Sequence, residues 1–515
     1  MATMSRNIVR RFSAVFGSKV GVLALTVVTT PILVRLLGSS GYGDYSFLLS
    51  TLQWVLVFVY AGAFKGTRKF IAEDRSDNWT DHVFAFYFQL VFVLAAIVVT
   101  AVVFLSGTPH VASVLGPEFS RYFTVLALIV PARACLRIGR SALMGFGLES
   151  YSEPLQIVDR VLFAVMIVTV SVVGGGVTAA LTSRVISTGI AALIALALVS
   201  RRIDLSALVS RSTGPVPAKR LAIYSGSTMA LSFLLLSLYH VDIILLRLFV
   251  GSSATGYYRA ALVIAEFLWF VPTAIQITLL HSTSQLWVDE RYDRLTEIST
   301  RAVRYTVLCT ALLALGVAGL AEPVLTLYFG PAFDAAVVPL LLLLPGAVGF
   351  AVARPVFAIS QGQENLRLLI GVTAVAALLN AALNVALIPA LGPSGAAIAT
   401  SLGYGSMFGL HVWNGRRLGF DPLADVRAVR VAGTVLAAAV PILGLPRLLE
   451  SDPLSLVVVP PVGAVAFAAL ALATGAVRPG EIRRIASASP VPTTRLATLC
   501  PDRILDAIGP TDHDG

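Results

Sequence analysis

A stretch of fifteen residues, PARACLRIGRSALMG at 131–145, places three arginines inside a long apolar run. Arg133, Arg137 and Arg140 are spaced four and three residues apart, so on a helix they fall within about 60° of one another. An arginine at the centre of a membrane helix costs about 2.5–3.5 kcal/mol to insert, and it almost always faces a protein interior or a wet cavity. Because the planar guanidinium fork binds phosphate through paired hydrogen bonds, the stripe predicts a site for a phosphate-bearing anion.

The composition indicates that the chain lies in a membrane. Of its 515 residues, 57% are hydrophobic and 13% are charged, whereas a soluble chain would carry about twice that charge. Fourteen apolar segments are long enough to be membrane helices. Their approximate limits are 16–37, 44–64, 82–105, 120–146, 154–174, 177–200, 221–249, 257–286, 303–329, 335–361, 366–388, 394–414, 428–449 and 454–476.

The positions of the basic residues predict the orientation of these segments. Clusters of Arg and Lys precede the first segment and follow segments 2, 6, 8, 12 and 14, whereas the loops on the other side carry almost none. The positive-inside rule therefore places both termini in the cytoplasm. The net charge of +10 is mostly explained by this topology, and we expect no nucleic acid as a partner.

The sequence repeats itself at a spacing of about 215 residues. The matching residues are Gly38 and Gly251, Gly43 and Gly256, Pro131 and Pro345, Arg140 and Arg354, and Arg201-Arg202 and Arg416-Arg417. Each repeat spans six helices, an even number, so the two halves have the same orientation. We expect them to be related by a pseudo-two-fold axis along the membrane normal, with a cavity between them.

This organisation predicts four segments of chain. The N-terminal six-helix half covers 1–205 and the C-terminal six-helix half covers 206–420. Two additional membrane helices follow at 421–477, and the last segment, 478–515, is expected to be a flexible cytoplasmic tail.

Several local motifs resemble a known family. A G-x-x-x-x-G-x-Y turn follows helices 1 and 7, a short Gly-Glu loop follows helices 4 and 10, and a Gly-Ala-Ala turn precedes helices 6 and 12. Over about residues 1–420 the chain resembles the polysaccharide-biosynthesis flippases, which are Wzx-type oligosaccharide exporters of the MOP superfamily and relatives of the lipid II flippases and MATE drug exporters. The two extra helices resemble the fourteen-helix flippases. The resemblance implies an all-α, MATE-like polytopic protein of the cytoplasmic membrane.

The resemblance also implies a cargo and a binding site. It implies a flippase that moves an oligosaccharide linked to polyprenyl phosphate or diphosphate across the membrane by alternating access. The cavity would receive the anionic head group while the prenyl tail stays in lipid. The expected head-group residues are Arg133, Arg137, Arg140 and Arg354, with Lys65 and Arg68 at the cytoplasmic mouth. The alternative for these residues is an internal salt bridge, a snorkelled side chain or simple topology.

Three acids inside predicted helices are candidates for a second role. Asp242, Asp159 and Glu266 would each bind a coupling ion or proton, or form a salt bridge in the cavity. An arginine of the fourth helix is the candidate partner of Asp159. Arg247, near the outer end of the seventh helix, is expected to be an interfacial anchor.

Other functions stay open at this point. A lipid II-type peptidoglycan precursor flippase is an alternative within the same superfamily. A cation-coupled multidrug exporter of the MATE type is less favoured, because intramembrane cations outnumber acids. A membrane-embedded glycan enzyme is less favoured because the outer loops are short, and we find no catalytic triad, metal cluster or phosphate loop.

We therefore expect a transporter without catalytic residues, cofactor or metal. Its expected partners are the polyprenyl-linked oligosaccharide and membrane lipids. Glycosyltransferases or a polymerase of the same pathway are candidate protein partners, and the protein itself is expected to be a monomer.

Overall fold

The structure, a computed structural model, describes residues 2–73, 78–204, 218–363, 366–449 and 451–481, and these form helices and connecting turns without any strand. The α-helices are α1 (Ala2–Leu56), α2 (Gly62–Ile71), α3 (Trp79–Ser106), α4 (Pro109–Leu115), α5 (Glu118–Gly145), α6 (Glu149–Ser152), α7 (Pro154–Val173), α8 (Val177–Val199), α9 (Ala218–Phe249), α10 (Ser252–Glu266), α11 (Phe270–Val288), α12 (Tyr292–Gly319), α13 (Ala321–Phe329), α14 (Val337–Gln361), α15 (Arg367–Arg417), α16 (Ala428–Leu448) and α17 (Asp452–Ala473). A π-helix covers Val57–Ala61, and 3-10 turns cover Phe267–Trp269 and Pro331–Ala336.

The long helices form where the sequence is apolar on every face. In α3 and α7, large apolar side chains are exposed: Phe92 is 61% exposed, Phe104 74% and Val172 83%. Such surfaces are not stable in water but are suited to lipid, where a helix satisfies its own backbone hydrogen bonds. Among the described residues, twelve helical stretches are long and apolar enough to cross a bilayer. The protein is therefore an all-α polytopic membrane protein.

Two of these twelve stretches are about twice the length that a bilayer needs. Val20–Ile71 has 52 residues and Arg367–Arg417 has 51, so each would be roughly 75–80 Å long if it were straight, against about 30 Å of hydrocarbon. Each is broken by one glycine with non-helical angles, Gly38 (φ 65°, ψ −178°) and Gly392 (φ 56°, ψ −133°). Each stretch therefore contains two segments of membrane length. The fourteen spans and the cytoplasmic position of both termini stay predictions.

The sequence repeat has a counterpart in the backbone. Gly38 and Gly251, which match across the repeat, both have positive φ. A second pair, Gly116 and Gly330, has φ values of 117° and 112° and begins the motifs GPEF and GPAF. The sequence analysis missed this pair, although its spacing of 214 residues fits the repeat. A side chain rarely adopts such angles, which explains glycine at both copies.

The two copies of one motif also contact each other where α1 crosses α10. A Cβ atom on Gly43 would lie 1.8 Å from the carbonyl oxygen of Ser252, and one on Gly256 would lie 2.0 Å from the carbonyl oxygen of Ser39. Gly256 is the repeat partner of Gly43, and Ser252 is the repeat partner of Ser39. The two contacts are therefore equivalent under the repeat, as a two-fold relation requires. The predicted boundaries of the two halves at 1–205 and 206–420 stay predictions.

The described residues divide into two compact units. The first comprises the described parts of Met1–Phe267, Leu325–Phe350 and Gln363–Asn414. The second comprises those of Leu268–Val324, Ala351–Gly362 and Gly415–Gly515.

Within the second unit, α16 and α17 pack against α12. Apolar side chains form the contact, among them Leu308, Ile442, Val459 and Phe467. These helices agree with the two additional helices that the sequence predicts.

An ionic network joins the same three helices beyond their apolar contact. Arg304 of α12 is 1% exposed and donates to the carboxylate of Glu481, which also accepts from Arg427 at 3.3 Å and from the backbone N–H of Arg478 at 2.9 Å. Burial raises the pKa of Glu481, but that hydrogen bond and the two guanidinium charges outweigh it and hold the pKa below its usual value. Residues 482–515 of the predicted tail lie outside the described residues.

Candidate functional site

The arginine stripe lies on α5, which continues through Pro131 without a break. The three side chains have different surroundings. Arg133 and Arg137 are half-buried, whereas Arg140 is only 4% exposed. Their shared face agrees with the helical spacing, but their partners separate them into two groups.

Arg140 is bound by protein groups. One of its terminal nitrogens lies 3.0 Å from Oε1 of Glu153, and its Nε donates to the carbonyl oxygen of Ser152 at 3.0 Å. Both charged side chains are buried. This geometry fits the salt-bridge alternative, in which Arg140 ties α5 to the start of α7. A role for Arg140 in binding substrate stays a prediction.

Within the described part of the chain, Arg137 stacks on aromatic rings instead of pairing with an acid. Its guanidinium carbon lies 5.7 Å from the ring centre of Tyr60 and 5.8 Å from that of Phe64. Tyr60 belongs to the π-helix Val57–Ala61, a local widening of the helix that often occurs at functional sites. A guanidinium on an aromatic face keeps its N–H groups free to bind an anion at its edge.

Arg133 has no ion pair with a described residue. Its Nε atom is buried and has no hydrogen-bond partner within the described part of the chain. The charges that act on it are those of Arg184, Asp159 and Arg137. Two of these three neighbours are themselves cations, so Arg133 adds to an excess of positive charge.

Asp159 of α7 is the acid at the centre of this region. It forms its ion pair with Arg184 of α8, at 3.7 Å, rather than with an arginine of α5 as the sequence suggested. Its Oδ1 atom accepts hydrogen bonds from the hydroxyl groups of Thr188 at 2.9 Å and Ser187 at 3.3 Å. The side chain is 6% exposed. These bonds hold the side chain of Asp159, which belongs to α7, against α8. In this position its charge also interacts with that of Arg133.

We define the arginine cluster as Arg133, Arg137, Arg160 and Arg184. The charge of Arg133 acts on Arg160, and both arginines act on Asp159. Four guanidinium groups against one carboxylate give a formal charge of 4 − 1 = +3. The sequence analysis missed Arg160 and Arg184. The criterion that selected α5, a cation inside an apolar segment, applies to both of them and would have found them.

The two basic residues predicted at the mouth lie on α2. Lys65 is half-buried and follows Phe64, whose ring contacts the guanidinium group of Arg137. Arg68 is exposed in the last turn of the helix. Neither belongs to the arginine cluster as defined.

Arg354, in the second unit, donates to the side-chain oxygen of Gln276 at 2.9 Å and lies 5.1 Å from the ring centre of Trp269. Its repeat partner Arg140 donates instead to a carboxylate, that of Glu153. A role in binding head groups stays a prediction for Arg354, as it does for Lys65 and Arg68.

Glu266 forms a salt bridge with Arg259, which the sequence analysis did not single out. The two side chains meet through paired contacts of 3.1 and 3.4 Å between nitrogen and oxygen atoms. Both are partly exposed. This geometry is the salt-bridge alternative that the sequence left open for Glu266.

Asp242 has hydrogen bonds but no ion pair within the described part of the chain. It is fully buried and accepts from the hydroxyl of Tyr258, from that of Thr400 at 3.0 Å, and from the N–H of Ile243 at 2.7 Å. Two further buried oxygens are on α15, the side-chain oxygens of Asn380 and Asn384, and neither accepts a hydrogen bond from a described residue. Asn380 itself donates to the carbonyl oxygen of Ala399, the residue before Thr400.

The sequence matches the family model for polysaccharide biosynthesis proteins over residues 8–271, about half of the chain. The chain belongs to this family. The matched range contains the whole arginine cluster together with Asp159, Asp242 and Glu266. A search among curated proteins found no match.

Solved structures show which fold the family member has. The chain is similar to a lipid II flippase, MurJ, in an inward closed conformation, with a TM-score of 0.72, 12% identity, and coverage of 90% of this chain and 98% of that one. It is also similar to an inward-facing MATE multidrug resistance transporter of the MOP superfamily, with a TM-score of 0.58, 17% identity, and coverage of 78% and 96%. A third similar structure, a MOP superfamily transporter from Pyrococcus furiosus described as having a binding pocket of reversed polarity, has a TM-score of 0.55, 16% identity, and coverage of 81% and 96%.

The fold is therefore MATE-like, as the sequence predicted. The chain is thus a member of the polysaccharide biosynthesis family with the fold of the MurJ and MATE transporters. Family and fold both agree with the predicted transporter.

The surroundings of Arg140 and Arg133 predict opposite effects on stability. Arg140→Gln leaves the carboxylate of Glu153 buried without its cation, which should destabilise the protein by about 3–5 kcal/mol. Arg133→Gln removes an unpaired cation from a positive region, so it should leave the melting temperature unchanged or raise it. Thermal unfolding of the detergent-solubilised protein measures both changes.

Arg121→Gln is the control for this comparison, because Arg121 lies on the same helix but is exposed. An equal loss of stability in Arg133→Gln and Arg140→Gln would show that Arg133 is a structural residue.

Proposed function

We propose that this protein moves an oligosaccharide linked to polyprenyl phosphate or diphosphate across the cytoplasmic membrane, for the synthesis of cell-surface polysaccharide or glycan. The observation that supports the proposal most is the arginine cluster with its formal charge of +3, in a member of the polysaccharide biosynthesis family. A phosphate or diphosphate head supplies the negative charge that the cluster lacks.

The argument from charge depends on the surrounding medium. In a low-dielectric interior each unpaired charge is costly, so an anion that enters the cluster is stabilised far more than it would be in water. Guanidinium groups add selectivity, because their planar fork matches two phosphate oxygens at once. Arg133, Arg137 and Arg160 are half-buried, and we assign them the direct contacts. Arg184 is 3% exposed, and it would act through its field and through Asp159.

Transport would proceed by alternating access between two six-helix halves, 1–205 and 206–420. The membrane potential would favour outward movement, because moving two negative charges out of a cell at 100 mV, inside negative, releases roughly 5 kcal/mol. Lys65 and Arg68 would attract the head group at the cytoplasmic mouth. Arg140 would add to the basic wall in the first unit, with part of its charge already neutralised by Glu153. Arg354, which donates to Gln276 in the second unit, is a separate candidate for contact with the head group.

Two other cargoes can be compared with the arginine cluster: cationic drugs fit it less well, and a lipid II-type precursor fits it equally well. Cationic drugs require a cavity with excess acid, whereas this cluster has four arginines for one aspartate, which argues against multidrug export. A lipid II-type precursor carries the same diphosphate head as a polyprenyl-linked oligosaccharide, so the cluster fits both, and only the sugar would distinguish them. The protein would work as a monomer among membrane lipids, close to glycosyltransferases or a polymerase of the same pathway.

We further propose that Asp242 binds the coupling ion or proton. It is a buried acid without a cationic partner among the described residues, and its neighbours are hydroxyl groups. The side-chain oxygens of Asn380 and Asn384, which accept no hydrogen bond from a described residue, are further neutral acceptors on α15, the helix that carries Thr400. Oxygen atoms of this kind are ligands for a small hard cation, and a proton would neutralise the same carboxylate.

The proposed function predicts the sidedness of the glycolipid in cells that lack this gene. Lipid-linked oligosaccharide should accumulate on the cytoplasmic leaflet, and the wild-type protein should clear it. The triple variant Arg133→Gln, Arg137→Gln, Arg160→Gln should clear it at least about 100-fold more slowly, since each charge-assisted contact contributes about 1.5–3 kcal/mol. The accessibility of the sugar to a membrane-impermeant lectin or oxidant measures the result.

Arg121→Gln is again the matched control, and all variants must reach the membrane in equal amounts. If the triple variant clears the glycolipid as fast as wild type, the arginine cluster is structural. If loss of the gene leaves sidedness unchanged, the proposed cargo is wrong.

The coupling proposal predicts a different phenotype. Asp242→Asn keeps the size and most hydrogen bonds of the side chain but removes its charge, so transport should continue at a rate that no longer responds to an imposed sodium or proton gradient. Asp334→Asn, at an exposed acid of the same repeat, should keep the gradient response of wild type. A response that persists in Asp242→Asn would exclude Asp242 as the coupling site.

A further inference from the structure

Trp54 of α1 carries a buried hydrogen-bond donor that has no acceptor among the described residues. The donor is its indole Nε1–H, and the side chain as a whole is half-buried. Burial of an N–H group without an acceptor is costly, and nearly all such groups in native proteins have a partner. The unused donor therefore points to an acceptor that arrives with a ligand.

Trp54 belongs to a row of aromatic and neutral polar side chains between α1 and α9. Its ring centre lies 5.5 Å from that of Phe233 on α9, and the ring of Phe58 lies 5.3 Å from the same phenyl group. One turn before Trp54, the hydroxyl of Ser50 and Nδ1 of His240 are joined by a hydrogen bond of 3.2 Å. We define these five side chains as the aromatic seam.

The aromatic seam lies between the two predicted halves of the repeat. Helix α1 belongs to the half at 1–205, and α9 belongs to the half at 206–420. The cavity of a duplicated transporter is expected at the interface between its halves. Phe58 is 48% exposed, so the face of its ring is open to a ligand.

The π-helix Val57–Ala61 connects the aromatic seam with the arginine cluster. Phe58 and Tyr60 both belong to it. Phe58 contacts Phe233 of α9, whereas the ring of Tyr60 lies 5.7 Å from the guanidinium carbon of Arg137 on α5. One local widening of the helix, of a kind that often occurs at functional sites, therefore presents side chains to both regions.

The chemistry of the aromatic seam differs from that of the arginine cluster. Its five side chains supply two phenyl rings, an indole, a hydroxyl and an imidazole, without a carboxylate or a guanidinium group. Aromatic faces carry a negative potential that attracts the C–H groups of a sugar ring, and the indole N–H can donate to a sugar oxygen. Binding sites for small molecules typically combine aromatic surface with a few placed polar groups in this way.

We propose that the aromatic seam is the sugar subsite of the transporter, and that Trp54 helps to select the sugar by donating its indole N–H to a hydroxyl or acetamido oxygen. This inference deepens the proposed function and rests on it. Trp54 precedes Tyr60 by six positions, about 9 Å along a helix axis. With the phosphate group at Arg137, the first sugars would therefore lie against Phe58 and Trp54.

Equilibrium binding to the purified protein in lipid nanodiscs tests the subsite. The two probes are lipid-linked oligosaccharide purified from the cells that make this protein, and polyprenyl diphosphate, the same carrier without sugar. Wild type should bind the sugar-bearing lipid about tenfold more tightly or better, as one hydrogen bond and one ring contact imply. Trp54→Phe keeps a ring but removes the N–H, so it should weaken binding of the sugar-bearing lipid about fivefold and leave that of polyprenyl diphosphate unchanged.

A second variant tests the ring contact independently. Phe58→Leu keeps an apolar side chain at an exposed position, so it should not unfold the protein. It should weaken binding of the sugar-bearing lipid about fivefold, again without an effect on polyprenyl diphosphate. The matched controls are Trp413→Phe on α15 and Phe104→Leu on α3, at positions that are 45% and 74% exposed. Both controls should bind the two lipids as wild type does.

The outcomes separate the subsite from the proposed function. If wild type binds both lipids equally, the aromatic seam does not contact the sugar and the subsite fails, while the proposed head-group site stands. If Trp54→Phe weakens both lipids equally, Trp54 is structural, and if it weakens neither, its N–H does not serve a sugar. Each of these results overturns the assignment. If wild type binds neither lipid, the proposed function is wrong and the subsite fails with it.

Discussion

The organisation of this protein depends on positive charge inside a membrane that the described residues do not fully neutralise. Arg133, Arg160 and Arg184 act on one carboxylate, that of Asp159, and Arg137 adds its charge to the same region. Lipid does not hydrate a guanidinium group, so these side chains must be enclosed by helices that are themselves apolar on their outer faces. The kinked helix α1, the proline-containing helix α5 and the hydroxyl-bearing helix α8 together provide this enclosure in the first unit.

The same chain neutralises its other buried arginines. Arg140 contacts Glu153, Arg247 contacts Asp44, and Arg304 contacts Glu481, each through a direct hydrogen bond to a carboxylate. The arginine cluster differs, because its ion pair among the described residues is longer, at 3.7 Å, and two of its members stack on aromatic rings. Since the protein has acids elsewhere for this purpose, we propose that the remaining charge receives the charge of a cargo.

The sequence predicted the class of fold because its signals are strong and independent. Apolar length, the distribution of Lys and Arg, and the repeat of Gly38 and Gly251 all indicate a duplicated helical transporter. Helix ends were less accurate, as in the second segment, which the sequence ended at 64 and which continues through a π-helix to Ile71. Hydrophobicity cannot locate the end of this helix, because the helix continues beyond the apolar segment through polar sequence that contains Lys65 and Arg68.

The candidate site was predictable only in part. Spacing on a single helix brought Arg133 and Arg137 together, but contacts between helices decided that Arg140 pairs with Glu153 and that Asp159 pairs with Arg184. No pattern within one helix indicates such partners. Asp44 and Arg247 form an ion pair although they are 203 positions apart in the sequence, and the crossing of α1 and α10 shows in the sequence only as a repeated glycine.

Equilibrium binding to the purified protein in lipid nanodiscs tests the central claim most directly. A short-chain polyprenyl diphosphate would be compared with the corresponding uncharged polyprenol, in wild type and in Arg133→Gln/Arg137→Gln. We predict that the diphosphate binds wild type at least about 100-fold more tightly than the alcohol, as two charge-assisted contacts imply, and that the variant loses most of this difference. Equal affinity for the two lipids, or a preference unchanged by the substitutions, would contradict the claim that the unneutralised arginines receive the charge of the cargo.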